Sequence, residues 1–393
     1  MFFKGSFLRN FTISFFVLLE NTSIFASTIN EQMNNKTKSI LLKVKAKGQG
    51  VVNFDGGHQK KFSGHLFFNA SEINGGIPNN VSYAKKVFTT NEDGRLDYKL
   101  FVSNECVGKE IYGSEVPFSS QDWFRDTKSR LNHLTSRTAI LRGYFFGDPA
   151  LGTVKRKSSV TLPDFIQSNN AKSNMVIGTT AGSRDSNSLF YRESVGEIEY
   201  ESKGGFINLK ELSFMSLDYR HDREAFLEKD VNLSKEYFKE TFDGFEPEIK
   251  YFTQKGAKVF LPERGFVFTN EIIVDLVKYY LTNLLFTSVK RKKAFMDISE
   301  VQIKLVKDPL VDVYGNEEGW ITLDLNTIKN LDFEVDEFYE VVDTEEAKAL
   351  LEPLDEVKSA KTAKKKEEKT KKQKEKEEYL ESLENKKIES AKK

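Results

Sequence analysis

The chain has 393 residues, with 59 Lys and Arg against 59 Asp and Glu, so its formal charge is zero. That length exceeds one small core and suits a large domain with insertions or two domains, and 39% apolar with 12% aromatic content is enough to fill them. The neutral balance excludes a protein that finds a polyanion through bulk charge, which leaves a local basic stripe as the only form a nucleic-acid site can take.

The first 37 residues read as an extension. Lys4 and Arg9 precede an apolar run from Phe11 to Leu19, the pattern of a secretion signal, but Glu20 ends the run well short of a bilayer span. Met33 followed by "NNKTKSILLKVKAKG" makes an ordinary start, so residues 1–32 are expected to be an upstream extension and the protein cytoplasmic; a secreted binding protein is the alternative. One cysteine, Cys106, forms no internal disulfide, and His58, His65, His133 and His221 have no zinc-ligand spacing, so neither metal nor cofactor is expected.

Residues 39–52 alternate. Ile40, Leu42, Val44 and Ala46 form one side and Lys43, Lys45 and Lys47 the other, a half-buried strand that runs into the glycine-spaced "GQGVVNFDG". Lysines on one face also serve simply to solvate a strand, yet the turn adds backbone N–H groups and the Asn53 amide beside them, which suits a phosphodiester backbone. Residues 55–113 are rich in Gly, Asn and Ser and predict a loop-rich insertion without a periodic helix. "SSQDWFRDTKSRLNHLTSRTAILRGYFF", 119–146, predicts one amphipathic helix, opened by Ser119 three residues before Asp122 and carrying Arg125 on its polar side.

Further along, "GEIEYESKGGFINLKELSF" alternates around Gly204 and Gly205 and predicts a hairpin with a two-glycine turn. Helices are expected over 234–243 and 270–291 and a strand over 294–307. Residues 311–343 form an accessory region, and 344–393 a charged tail; its residues 358–393 hold fourteen Lys and eight Glu, a charge of +6 that leaves the rest of the chain at −6. The order strand, helix, hairpin, helix, strand is that of a βαββαβ unit, so the fold class is α+β with a ferredoxin-like (RRM-like) palm.

Signatures of catalysis are absent: no P-loop, no G-x-S-x-G, no H-E-x-x-H and no C-x-x-C. Cys106 with His133 could form a nucleophile and base, but an isolated cysteine on a mixed-polarity stretch is usually inert. What remains is a dispersed set of cationic, amide and hydroxyl groups near glycines. In "GSRDSNSLFYRESVG", 182–196, Arg184 and Arg192 flank Ser186, Asn187 and Ser188 beside Phe190 and Tyr191, an arrangement that can hold single-stranded RNA through charge and stacking.

Three stretches carry a resemblance: "KVKAKGQGVVNFDG", "AILRGYFF" and, above all, "GSRDSNSLFYRESVGEIEYESKGGFINLKELSFMSLDYRHDR". Together they resemble the backbone subunit of type I CRISPR surveillance complexes (Cascade), the Cas-seven family of RAMP proteins, nearest to the minimal type I-F variant, over residues 38–307. The resemblance implies a palm over 38–310 with a finger insertion (55–113) and a thumb-like hairpin (182–215). It also implies a non-catalytic protein that polymerises head to tail along CRISPR RNA, meets other Cascade subunits, touches target DNA only through the guide and has no membrane partner. The RNA-binding residues it points to are Lys43, Lys45, Lys47, Asn53, Gln121, Arg125, Arg142, Arg184, Ser186, Asn187 and Arg192. Relatives that cut RNA with a loop aspartate and a metal make Asp55 and Asp185 the positions of an enzymatic alternative.

Overall fold

A computed structural model describes residues 36–55, 81–90, 94, 96–113, 122–179, 189–218, 224–256, 261–291, 294–307 and 318–352. The chain divides into two compact units, one built from 1–247 with 267–336 and the other from 248–266 with 337–393. In the first unit an α+β architecture forms around an antiparallel sheet. Its strands lie side by side in the order Ser288–Arg291, Ala294–Val306, Ser39–Gln49, Glu197–Asn208, Phe165–Gln167, Leu96–Val102 and Lys86–Thr90. Ile321–Thr322 joins Ala294–Val306, and Val160–Thr161 joins Glu197–Asn208.

In the middle of this sheet the strand 39–49 is flanked by 294–306 and by 197–208, and 197–208 in turn pairs with 165–167, every neighbour antiparallel. Ile40, Leu42, Val44 and Ala46 are buried, as are Ile198, Tyr200 and Ile207 on one side and Met296, Val301 and Ile303 on the other. The helix Asn270–Leu285 buries Ile273, Leu276, Val277, Tyr280, Leu281 and Leu284, and packs against Ala294–Val306. At about 1.5 to 3 kcal/mol per fully buried aliphatic side chain, this shared core is the largest favourable contribution to the unit.

Four local expectations give way to tertiary context. Asn104–Tyr112 is a helix inside the stretch read as loop, with Val107, Ile111 and Tyr112 buried, and Leu96–Val102 just before it belongs to the main sheet. The single helix over 119–146 is instead three short ones, Asp122–Arg125, Thr127–Leu134 and Arg137–Arg142, followed by the strand Tyr144–Asp148. Its breaks are written in side chains that compete for backbone donors: Asp126 accepts from the Ser129 N–H and Ser136 from the Ala139 N–H, so each starts a new helix. Gly143 then ends the last one at φ +72, where a Cβ would sit 2.5 Å from the Arg156 carbonyl oxygen.

Gly204 and Gly205 do not turn the chain. Glu197–Asn208 is one strand, and the register passes from Leu42 opposite Gly205 to Lys43 opposite Lys203, which leaves Gly204, at φ +83, as the extra residue of a β-bulge. The hairpin lies upstream, where Asn174–Thr179 pairs with Leu189–Ser194, and Val81–Ala84 adds to it in parallel. Last, the 270–291 helix stops at Leu285, and Ser288–Arg291 turns back to pair with Ala294–Val306.

Candidate nucleic-acid interface

Because side chains alternate along a strand, burial of the even positions from Ile40 to Ala46 sends Lys43, Lys45 and Lys47 to the opposite face of the sheet. There the register surrounds them with acids. Lys45 lies opposite Glu201 on one side and Glu300 on the other, and Lys47 opposite Glu199 and Asp297. Lys45 Nζ is 2.9 Å from Glu300 Oε1 and Lys47 Nζ 3.5 Å from Glu199 Oε1, with the lysine side chains 54% and 70% exposed. The hydrogen bond that Lys45 donates to Glu300, more than the carboxylate's charge alone, raises the Lys45 pKa above the ordinary lysine value. These ammonium groups are therefore paired but solvated, and exposed pairs of this kind are weak enough to exchange partners. Lys43 takes a different neighbour: its Nζ sits 4.2 Å from the centre of the Trp320 ring.

The glycines after the lysines serve the sheet. A Cβ on Gly48 would stand 2.3 Å from the Phe295 carbonyl oxygen, and the Gly50 N–H donates to Val195 O at 3.1 Å. Asn53 donates through Nδ2 to Ser103 Oγ at 3.3 Å, which ties the end of this segment to the start of the 104–112 helix.

The other proposed contacts are spread over the unit. Arg125 Nε donates to Asp148 Oδ2 at 2.8 Å, and this hydrogen bond holds the Asp148 carboxyl below the usual carboxylate range. Arg142 closes the Arg137–Arg142 helix with its guanidinium 5.9 Å from the Tyr112 ring centre. It borders a cleft of about 180 Å³ with Asn104, Glu105, Ser158 and Tyr280. Burial raises the Tyr112 pKa, and the Tyr280 hydroxyl, also buried, has no hydrogen-bond partner among the described residues. Arg192 lies in the Leu189–Ser194 strand opposite Val176. Gln121, Arg184, Ser186 and Asn187 fall outside the described residues, as does Asp185.

Sequence reading missed the aromatic residues of the lysine face. Phe206 lies opposite Leu41 and Phe295 opposite Gln49, on the side of the odd-numbered lysines, and they are 37% and 41% exposed. Trp320 joins them because Thr322 pairs with Gln302 and Ile321 with Ile303, which puts position 320 on the same face as Gln302. The alternation in "GFINL" and "AFMDISEV" was a usable signal for the two phenylalanines; nothing local marked Trp320.

Cys106 is half-buried beside Arg291, whose Nη2 is 3.3 Å from the sulfur, and burial raises the thiol pKa, the reverse of an activated nucleophile. Among the described residues no group of three or more His, Cys, Asp and Glu converges on a metal-sized point, and no helix is long and apolar enough to cross a membrane.

No curated protein matches the chain. Among solved structures it is similar to a chain of a CRISPR RNA-guided surveillance complex, at 10% identity and a TM-score of 0.32 over 71% of this chain and 76% of that one. It is similar also to a chain of such a complex in a pre-nicking state, at 10% identity and 0.34 over 67% and 75%. The family model of the type I-Fv CRISPR-associated protein Cas7fv-like matches residues 36–310, well over half of the sequence, and the chain belongs to that family.

Proposed function

We propose that the protein is the backbone subunit of a type I CRISPR surveillance complex, binding the guide RNA along its phosphates without catalysis of its own. The observation that carries this reading is the family match over 36–310, which takes in the whole lysine strand, the helices after it and the 174–194 hairpin. In this reading Lys43, Lys45 and Lys47 meet phosphates, Arg125 and Arg142 extend the path across the helices, and Arg184, Ser186, Asn187 and Arg192 add further contacts to the RNA. Copies of the chain follow one another along the RNA in the cytoplasm with other subunits of the complex, and target DNA is met through exposed guide bases. Support for a phosphate-reading role comes from the exchangeable ion pairs at Lys45 and Lys47: an RNA phosphate can replace Glu300 or Glu199 at little cost.

The test is the nucleic acid bound to the purified full chain. A discrete CRISPR RNA should co-purify, and the logarithm of affinity should fall with the logarithm of salt by about 0.7 per phosphate neutralised. A chain that binds no RNA even at low salt would refute the proposal.

A further inference from the structure

We infer that Trp320 is a stacking post for a nucleobase of single-stranded RNA lying across the exposed face of the central sheet; this rests on the RNA-binding reading above. Trp320 lies beyond the matched family segment, which ends at 310, so nothing in the match assigns it a role. Its place is fixed by backbone pairing. Ile321–Thr322 pairs with Gln302–Ile303, the Leu323 N–H donates to Val301 O at 2.8 Å, and Gln302 Nε2 donates to Thr322 Oγ1 at 3.3 Å. The pairing delivers a half-buried indole to the lysine face, beside Lys43.

Two features of that face point to single-stranded nucleic acid. First, a large aromatic ring stands next to a row of solvated ammonium groups, and single strands are held by base–aromatic stacking together with cations along the backbone. Second, Phe206 and Phe295 are partly exposed on the same face, at the two ends of the lysine row, so the row of cations is bracketed by rings. Lys43 polarises the indole now and lies close enough to pass to a phosphate once a base occupies the ring. The four acids between the lysines, Glu199, Glu201, Asp297 and Glu300, disfavour a densely charged duplex more than a flexible strand that can place its phosphates one at a time.

The chain has two tryptophans, Trp123 and Trp320, so Trp123→Phe in the full-length protein, freed of co-purified RNA, leaves Trp320 as the sole indole emitter. Titration with a single-stranded uridine dodecamer should quench that emission saturably, and polyphosphate of matched charge should not. Trp320→Ala should weaken RNA binding roughly 5- to 150-fold, with an unchanged salt slope because no charge is lost, while Trp320→Phe retains most of the affinity. Thermal melting of both variants separates lost binding from lost fold. If the dodecamer binds but leaves the emission unchanged and Trp320→Ala binds like wild type, this inference falls and the RNA-binding reading stands. If the wild-type chain binds no RNA at all, both fall.

Discussion

The exposed face of the central sheet and the helical layer of the same unit use cations in opposite ways. On the sheet, Lys45 and Lys47 hold acids across neighbouring strands while remaining largely in water. In the helical layer, Arg130 is fully buried; its Nε donates to Asp230 Oδ2 at 2.7 Å, and its other nitrogens reach the Phe124 carbonyl and Thr127 Oγ1. Arg156, also buried, donates to Ile140 O at 3.0 Å, Phe214 O at 2.8 Å and Glu211 O at 3.1 Å, and so satisfies carbonyls at the ends of two helices. Basic residues in water can change partners, whereas these arginines cannot leave without orphaning groups inside the protein. A positive charge in the sequence is thus evidence of a ligand only where it is exposed.

The largest test of that contrast is Asp230→Ala, which strands the Arg130 guanidinium in the interior. A loss of roughly 3 to 5 kcal/mol is expected in urea unfolding; a loss under 1 kcal/mol would place Arg130 with the exchangeable cations. Gly143→Ala comes next. It forces a side chain into the left-handed region and against the Arg156 backbone, and should cost roughly 1 to 3 kcal/mol from backbone strain alone.

On the sheet the expected effect moves from stability to binding. Lys45→Ala with Lys47→Ala should leave the melting temperature close to wild type and make the salt dependence of RNA binding shallower by about 0.7 for each lysine that meets a phosphate. Glu300→Gln should act in the other direction, strengthening RNA binding by up to about fivefold at low salt because Lys45 no longer has a competing carboxylate. Equal affinities for Glu300→Gln and wild type would show that Lys45 does not contact RNA.

The smallest effect concerns pH. Arg125 holds the Asp148 pKa below its unfolded value, so the pair stabilises the protein above about pH 4, the ordinary aspartate range, and this contribution disappears as pH falls through the lowered folded value. Asp148→Asn should remove this contribution at neutral pH, flatten the acid side of the stability profile in that window and converge with wild type below the lowered folded value. An identical acid limb in both proteins would remove the pair from the account.

Particular residues show where reading from sequence succeeded. The 39–49 strand was legible because its period-two pattern is unbroken, and the helix over 270–285 because apolar residues recur along it with few polar interruptions. At 119–146 the same periodicity misled, since Asp126 and Ser136 sit on the polar side of an imagined long helix but in fact cap new ones. The Gly204–Gly205 pair is consistent with a turn or a bulge when read locally. Only the pairing of 197–208 along the full length of 39–49 selects the bulge.

The candidate interface divides the same way. Lys43, Lys45 and Lys47 could be placed on one face from spacing alone, but the acids opposite them come from positions about 150 and 250 residues away, so their pairing was invisible. By itself the sequence determined the 39–49 strand and which of its faces is apolar, the helix that begins at 270, and the family, because these depend on local period and on motifs within a few tens of residues. The tertiary structure decided which cations are buried as struts, which carboxylates shadow the lysines and that Trp320 joins them, because register between distant strands is fixed by the packing of the whole core.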